Sequence, residues 1–82
     1  MKLLERIIET YPDEQFLKAD GLDDAIIGVD EKSMVLIYSV SKCIDILSIE
    51  MNSVEGAIEY FSFNVSGAYM GEKTPIWCQD LY

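Results

Sequence analysis

GEKT at residues 71–74 is the stretch of this chain nearest to a known piece of chemistry, the end of a phosphate-binding loop. That loop needs Gly directly before its Lys so that the backbone can close on a phosphate, and here Glu72 intervenes. The loop must also open a helix, and here Pro75 follows Thr74. Nucleotide binding through this motif is therefore rejected. Asp20, Asp23 and Asp24 are the next candidates, as oxygen ligands for Ca²⁺ or Mg²⁺. They lack the calcium-loop spacing and its closing Glu, and an adjacent pair does not point readily at one centre. A solvated turn is the better reading. The chain has no His, which removes Ser–His and Cys–His nucleophiles. Cys43 and Cys78 form no CxxC pair, so a zinc site has no ligand set and two free thiols are expected. Paired carboxylates for glycoside chemistry remain, but 82 residues leave little room for the necessary cleft. Asn64-Val65-Ser66 fits the glycosylation sequon, with no secretory signal ahead of it, and reads as a helical Asn without a glycan. No cofactor, no metal and no enzymatic activity are expected.

What remains is recognition. Tyr60, Phe61, Phe63, Tyr69 and Trp77 cluster near the C-terminus. Phe61 falls on an inward helical stripe, whereas Tyr60 and Phe63 fall off it and either pack under the following loop or face a partner. The loop at 67–77 carries Tyr69, Met70, Glu72, Lys73 and Trp77, where Gly, Ser, Asn and Asp would make a simpler connection. Gly67 and Gly71 permit tight turns, and Thr74-Pro75 stiffens the exit. Aromatic side chains on a rigid loop suit binding. The candidate interaction surface is Tyr60, Asn64, Tyr69, Glu72, Lys73 and Trp77. The competing reading is that Tyr69 and Trp77 cap a small core while Glu72 and Lys73 are solvated charges.

The elements that must position these residues follow from periodicity. Leu3, Leu4, Ile7, Ile8 and Tyr11 recur at helical spacing, and Pro12 breaks the pattern. Residues 12–19 fit either a helix start or an extended segment, and Asp20-Gly21 marks a turn. AIIGV at 25–29 and SMVLIY at 33–38 predict a β-hairpin across Asp30-Glu31-Lys32. Neither strand alternates cleanly, so both faces should be covered. Gly28 predicts a bulge or a close backbone approach. Ser39 or Ser41 can cap the next helix, Asn52 can end it, and Ser53 can cap another that runs into Gly67. Ile76 to Gln79 predicts a third, edge strand. The expected fold is α+β, with a small antiparallel sheet (hairpin plus C-terminal edge strand) packed against three helices in a single domain, 1–82. Its core should hold Ile27, Val29, Val35, Ile37, Ile44, Leu47, Ile58 and Phe61.

Half the residues are apolar, which suits a globular core rather than disorder. The net charge is -9, with fifteen acids against six bases. With no basic patch, direct contact with nucleic-acid phosphates or an anionic membrane is disfavoured. The acidity serves solubility, or else meets a basic partner or imitates nucleic acid. No apolar run is long enough to span a membrane. The opening MKLLERIIETYPDE has charges inside its apolar stretch and is no signal peptide, which points to the cytoplasm.

Three segments carry a resemblance: DGLDDAIIGVDE at 20–31, YSVSKCIDIL at 38–47 and EGAIEYFSFNVSGAYMGEKTPIW at 55–77. Together they cover most of the chain, and it resembles a family of small uncharacterised proteins of phages and bacteria. The last segment is the most specific, through Glu59, Phe61, Asn64, Gly67, Ala68, Tyr69, Gly71, Thr74 and Pro75. Two positions depart from the family pattern, which prefers an aromatic at Leu22 and an acid at Gly56. The family has no established activity, so the resemblance supplies no catalytic residues. It implies a phage or phage-derived origin. The expected function is a non-enzymatic, cytoplasmic protein-interaction domain that binds another protein or itself. One alternative is an acidic nucleic-acid mimic that inhibits a host DNA-binding or defence protein. The other is a minimal carboxylate-dependent enzyme.

Overall fold

The computed structural model describes residues 3–67 and 71–80. The chain runs α1 (Leu3–Thr10), β1 (Ile26–Asp30), β2 (Val35–Ser39), α2 (Val40–Met51), α3 (Val54–Tyr60) and β3 (Ile76–Cys78). Turns of 3-10 helix at Asp23–Ala25 and Gly71–Lys73 precede β1 and β3, and a π-helical turn, Phe61–Val65, continues α3. Helices on a small sheet make this an α+β fold, as the sequence pattern predicts.

The strand order is β1-β2-β3. β1 and β2 form the expected antiparallel hairpin, and β3 lies at the edge, as expected. One detail differs: β3 pairs with β2 in parallel, so the sheet is mixed rather than antiparallel throughout. The reason is connectivity. β2 passes directly into α2, and the chain returns through α3 before re-entering the sheet, which is the crossover that a parallel pair requires. β2 is central, and Val35, Leu36, Tyr38 and Ser39 are all buried. Consecutive strand residues point to opposite faces, so both faces of β2 are covered.

The core is built from Leu4 and Ile7 of α1, Leu22, Ala25 and Ile26, the buried residues of β2, Val40, Cys43 and Leu47 of α2, and Ala57 with Phe61. Val35, Leu47 and Phe61 are buried as expected, and Val29, Ile37 and Ile44 are half-buried. Two expected core residues are not in it. Ile27 is 37% exposed, because the β1–β2 register skips it between the Ile26–Tyr38 and Gly28–Ile37 pairs. It is the extra residue of a bulge, and a bulged residue is free to turn outward. Gly28 marks that bulge; no neighbouring atom crowds its missing Cβ. Ile58 is 46% exposed, because the inward line of α3 runs through Ala57 and Phe61. Ile58 is one residue further round the helix, about 100° off that line.

Local signals account for the element ends. The Ser39 hydroxyl accepts a hydrogen bond from the Lys42 N–H (3.2 Å) and Ser53 accepts one from the Gly56 N–H (3.0 Å), each capping its helix. Asn52 closes α2 in the left-handed conformation, φ 53°. In the hairpin, Asp30 accepts from the Lys32 N–H (3.1 Å), and Met34 takes a positive φ of 52°. Residues 12–19 adopt no regular structure. Two tethers hold them: the Ala19 N–H donates to the Tyr38 hydroxyl (2.8 Å), and Glu14 meets Lys73 (3.2 Å).

Asp80 ties the chain beyond β3 to the start of α2. Its carboxylate accepts from the Ser39 hydroxyl and from the Ser41 N–H (3.2 Å). These hydrogen bonds, with that from Ser39 the largest influence, hold the Asp80 carboxyl below its ordinary range. A carboxylate beside a helix N-terminus is also favoured by the helix dipole. Because the folded-state value is depressed, the stabilisation is present above the unfolded Asp value, ~3.9, and is lost as pH falls through the lower folded value. Asp80→Asn should therefore lower the melting temperature at pH 7. The gap from wild type should close in strong acid. A gap that persists undiminished in strong acid would assign the effect to packing rather than charge.

Candidate functional site

Four separate stretches of chain meet at one groove of about 550 Å³. Ala19 and Leu22 form one wall, and Leu47, Glu50 and Met51 at the end of α2 form another. Tyr60, Asn64 and Val65, where α3 passes into the π-turn, form the third, with Trp77 of β3 beside them. Lys18 and Asp20 stand at the open edge. The volume is in the range that holds a ligand or a partner's side chains, about 300–1,000 Å³.

Trp77 is positioned by stacking. Its ring lies 5.0 Å from that of Tyr38, tilted by 38°, and 5.4 Å from that of Phe61, edge to face at 88°. Both arrangements suit the aromatic quadrupole. The Trp77 Nε1–H is buried and has no hydrogen-bond acceptor among the described residues. Parallel pairing of β3 sets Trp77 opposite Tyr38 in register, which brings the two rings together.

The π-turn shapes the other wall. The Ser66 N–H donates to the Phe61 carbonyl five residues back, at 2.8 Å. This wider turn leaves Phe61 buried and Val65 half-buried against the core, with Tyr60 and Asn64 at the mouth and Phe63 outside. Such turns are frequent at functional sites. Gly67 follows the π-turn: a Cβ there would meet the Ser62 carbonyl oxygen at 3.0 Å, so only Gly fits without adjustment.

A second, shallower depression of about 300 Å³ adjoins the first. Met51, Tyr60 and Asn64 line both, and Gly56, Glu59 and Phe63 complete the second. Phe63 is 81% exposed, and Tyr60 and Met51 are also exposed. The charge around this surface is lopsided. Lys18 is paired with Asp23 at 3.2 Å. Asp20, Glu50 and Glu59 form no ion pair among the described residues.

Of the six residues nominated from sequence, Tyr60, Asn64 and Trp77 converge on the groove. Lys73 lies elsewhere: its ammonium group donates to Glu14 (3.2 Å) and to the Met34 carbonyl (3.0 Å), linking the 3-10 turn to the segment after α1 and to the hairpin. Glu72 is exposed on the same turn and does not line the groove. Tyr69 lies outside the described residues. Sequence reasoning did not place Leu22, Leu47, Glu50 or Met51 at the site; it left Phe63 either packed under the loop or exposed, and it is exposed. Met51 carried a usable signal, as a Met at a helix end just before a left-handed Asn.

Cys43 and Cys78 are both free thiols, as expected. Burial, reinforced by the charge of Asp80, pushes the Cys43 thiol up to about 12, so it is an inert core residue. Among the described residues, no three His, Cys, Asp or Glu side chains stand close enough to hold a metal ion. No helix of the described residues is long and apolar enough to cross a membrane. Comparison of the chain with protein-family models, with curated proteins and with solved structures finds no match in any of the three.

Proposed function

We propose that this chain is a non-enzymatic, cytoplasmic protein-interaction domain that takes apolar side chains of a partner protein into the groove beneath Tyr60. One observation carries the reading. An apolar floor of Leu22, Leu47, Val65 and Trp77 opens beside exposed Met51, Tyr60 and Phe63, on a single continuous surface. Exposed apolar side chains scattered singly are ordinary, but a contiguous set around a concavity marks a contact surface. Tyr and Phe offer large contact area at low entropic cost, which suits them to anchor positions. The pattern at 55–77 supports a phage or phage-derived origin, and it contains Tyr60, Asn64 and Trp77.

The double variant Tyr60→Ser/Phe63→Ser tests this reading. Both side chains are exposed, so its melting temperature should stay close to that of wild type. Wild type and variant, immobilised side by side, are offered a lysate of the native host. A protein retained by the wild type and lost by the folded variant supports the proposal. Equal retention by both overturns it, and so does a variant that no longer folds, because these side chains would then be structural.

A further inference from the structure

The groove is apolar inside and acidic at its edges, and that combination specifies an occupant. We infer that it receives a cationic, amphipathic protein segment, whose apolar side chains enter the two depressions while Lys or Arg residues reach Asp20, Glu50 and Glu59. The inference rests on the interaction reading above and adds the chemistry of the partner.

Three observations lead to it. First, the two depressions share Met51, Tyr60 and Asn64, so the surface is continuous and longer than one side chain needs. A segment with two apolar anchors fits it better than a single residue. Met51 stands between the depressions, and its flexible thioether can adjust to either anchor. Second, the carboxylates come from three different parts of the chain. Asp20 belongs to the segment before the Asp23–Ala25 turn, Glu50 to the end of α2, and Glu59 to α3. A segment lying across both depressions would come near all three. Among the described lining residues the one cation, Lys18, is already engaged by Asp23. Third, the field of the whole chain has the same sign, with a net charge of -9. It attracts a basic partner from a distance and raises the association rate.

The same charges disfavour the other occupants. A second copy would bring -9 against -9. In a two-fold interface the same patch meets itself, so Asp20, Glu50 and Glu59 would face like charge. Nucleic acid and anionic lipid are repelled for the same reason.

The test uses three pools of short synthetic peptides that share Leu, Ile, Met and Phe at their apolar positions. The polar positions are Lys/Arg in one pool, Glu/Asp in the second and Gln/Ser in the third. Two readouts follow the titration: fluorescence of Trp77, the chain's one Trp, and the amide chemical shifts of Leu22 and Asn64. The basic pool should perturb both and bind at least about tenfold more tightly than either other pool. Raising the salt should weaken it, as screening shortens the reach of the carboxylates. Glu50→Gln/Glu59→Gln should weaken the basic pool while leaving the melting temperature in place. Equal or tighter binding of the acidic or neutral pool at Leu22 and Asn64 would overturn the inference about charge and leave the groove as an interaction site. A wild-type dimer in solution with Leu22 and Asn64 at its interface would overturn it in favour of a second copy. If no pool perturbs the groove, the inference also fails, and the interaction reading then stands or falls on the Tyr60→Ser/Phe63→Ser comparison.

Discussion

Tyr38→Ala should remove about 3–5 kcal/mol of stability, the range for truncating a buried aromatic side chain. A domain of 82 residues has about 4–12 kcal/mol in total, at about 0.05–0.15 kcal/mol per residue, so this variant should lose at least about a quarter of its stability. Three separate contacts explain the size. Tyr38 is fully buried at the centre of the sheet, paired with Ile26 on one side and Trp77 on the other. Its ring supports the indole of Trp77 at 5.0 Å. Its hydroxyl accepts the Ala19 N–H at 2.8 Å and so anchors the segment that forms one groove wall. Burial also raises the hydroxyl above its ordinary value. Tyr38→Phe separates the parts. It keeps the ring and leaves the Ala19 N–H without this acceptor, which should cost about 1–3 kcal/mol. Urea denaturation followed by circular dichroism and by Trp77 fluorescence measures both variants. A loss below about 1 kcal/mol in Tyr38→Ala would show that the sheet centre is not the keystone of this core.

The parts of the fold that were legible in the sequence are those decided locally. Ser39, Asn52 and Ser53 declare helix ends through hydrogen bonds that reach only three or four residues. The unbroken apolar run of β2 declares burial on both faces, and Gly28 declares a bulge. What was missed depends on partners distant in sequence. The parallel pairing of β3 was implied by the element order, since two helices between strands form a crossover, but short terminal strands are easily taken for hairpin partners. Ile27 and Val29 look alike in sequence, and the bulge that turns Ile27 outward is a matter of register with Tyr38 and Ile37. Ile58 and Ala57 compete for the inward side of α3, and the smaller residue takes it and is fully buried.

The candidate site divides in the same way. In sequence, Tyr60 is a candidate as an aromatic off the apolar stripe, Trp77 as the last aromatic of the 67–77 loop, and Asn64 as a polar residue between them. All three reach the groove because the π-turn and the parallel strand bring them there. A π-turn differs from an α-turn by one residue in its hydrogen bonding, and no residue type announces it. The opposite wall, with Leu22 and Leu47, reads in sequence as ordinary core. Lys73 was read beside Glu72 as part of a binding loop, yet its charge is used inside the molecule. Its partners Glu14 and Met34 are remote in sequence, and no local pattern reveals them.

Leu47 sits where fold and site meet, and Leu47→Ala should cost about 2–5 kcal/mol. The side chain is 7% exposed, packs in the core from α2, and also lines the groove. Truncation removes apolar burial and leaves a space that the surrounding helices fill only in part. The hydrogen bonds that cap α2, Lys42 to Ser39 and the turn at Asn52, do not involve the Leu47 side chain. The loss should therefore appear as a lower denaturation midpoint, with the slope of free energy against urea unchanged. Ile58→Ala supplies the contrast. Ile58 is equally apolar but 46% exposed, and its truncation should cost less than about 1 kcal/mol. Leu47→Met supplies the second contrast: it nearly conserves volume, should cost under about 1.5 kcal/mol, and reshapes the groove floor. If the groove holds a partner's apolar side chain, Leu47→Met should alter binding of the basic peptide pool while the domain stays folded. An unchanged midpoint in Leu47→Ala, or a loss in Ile58→Ala as large as that in Leu47→Ala, would mean that α2 and α3 do not pack on the faces described.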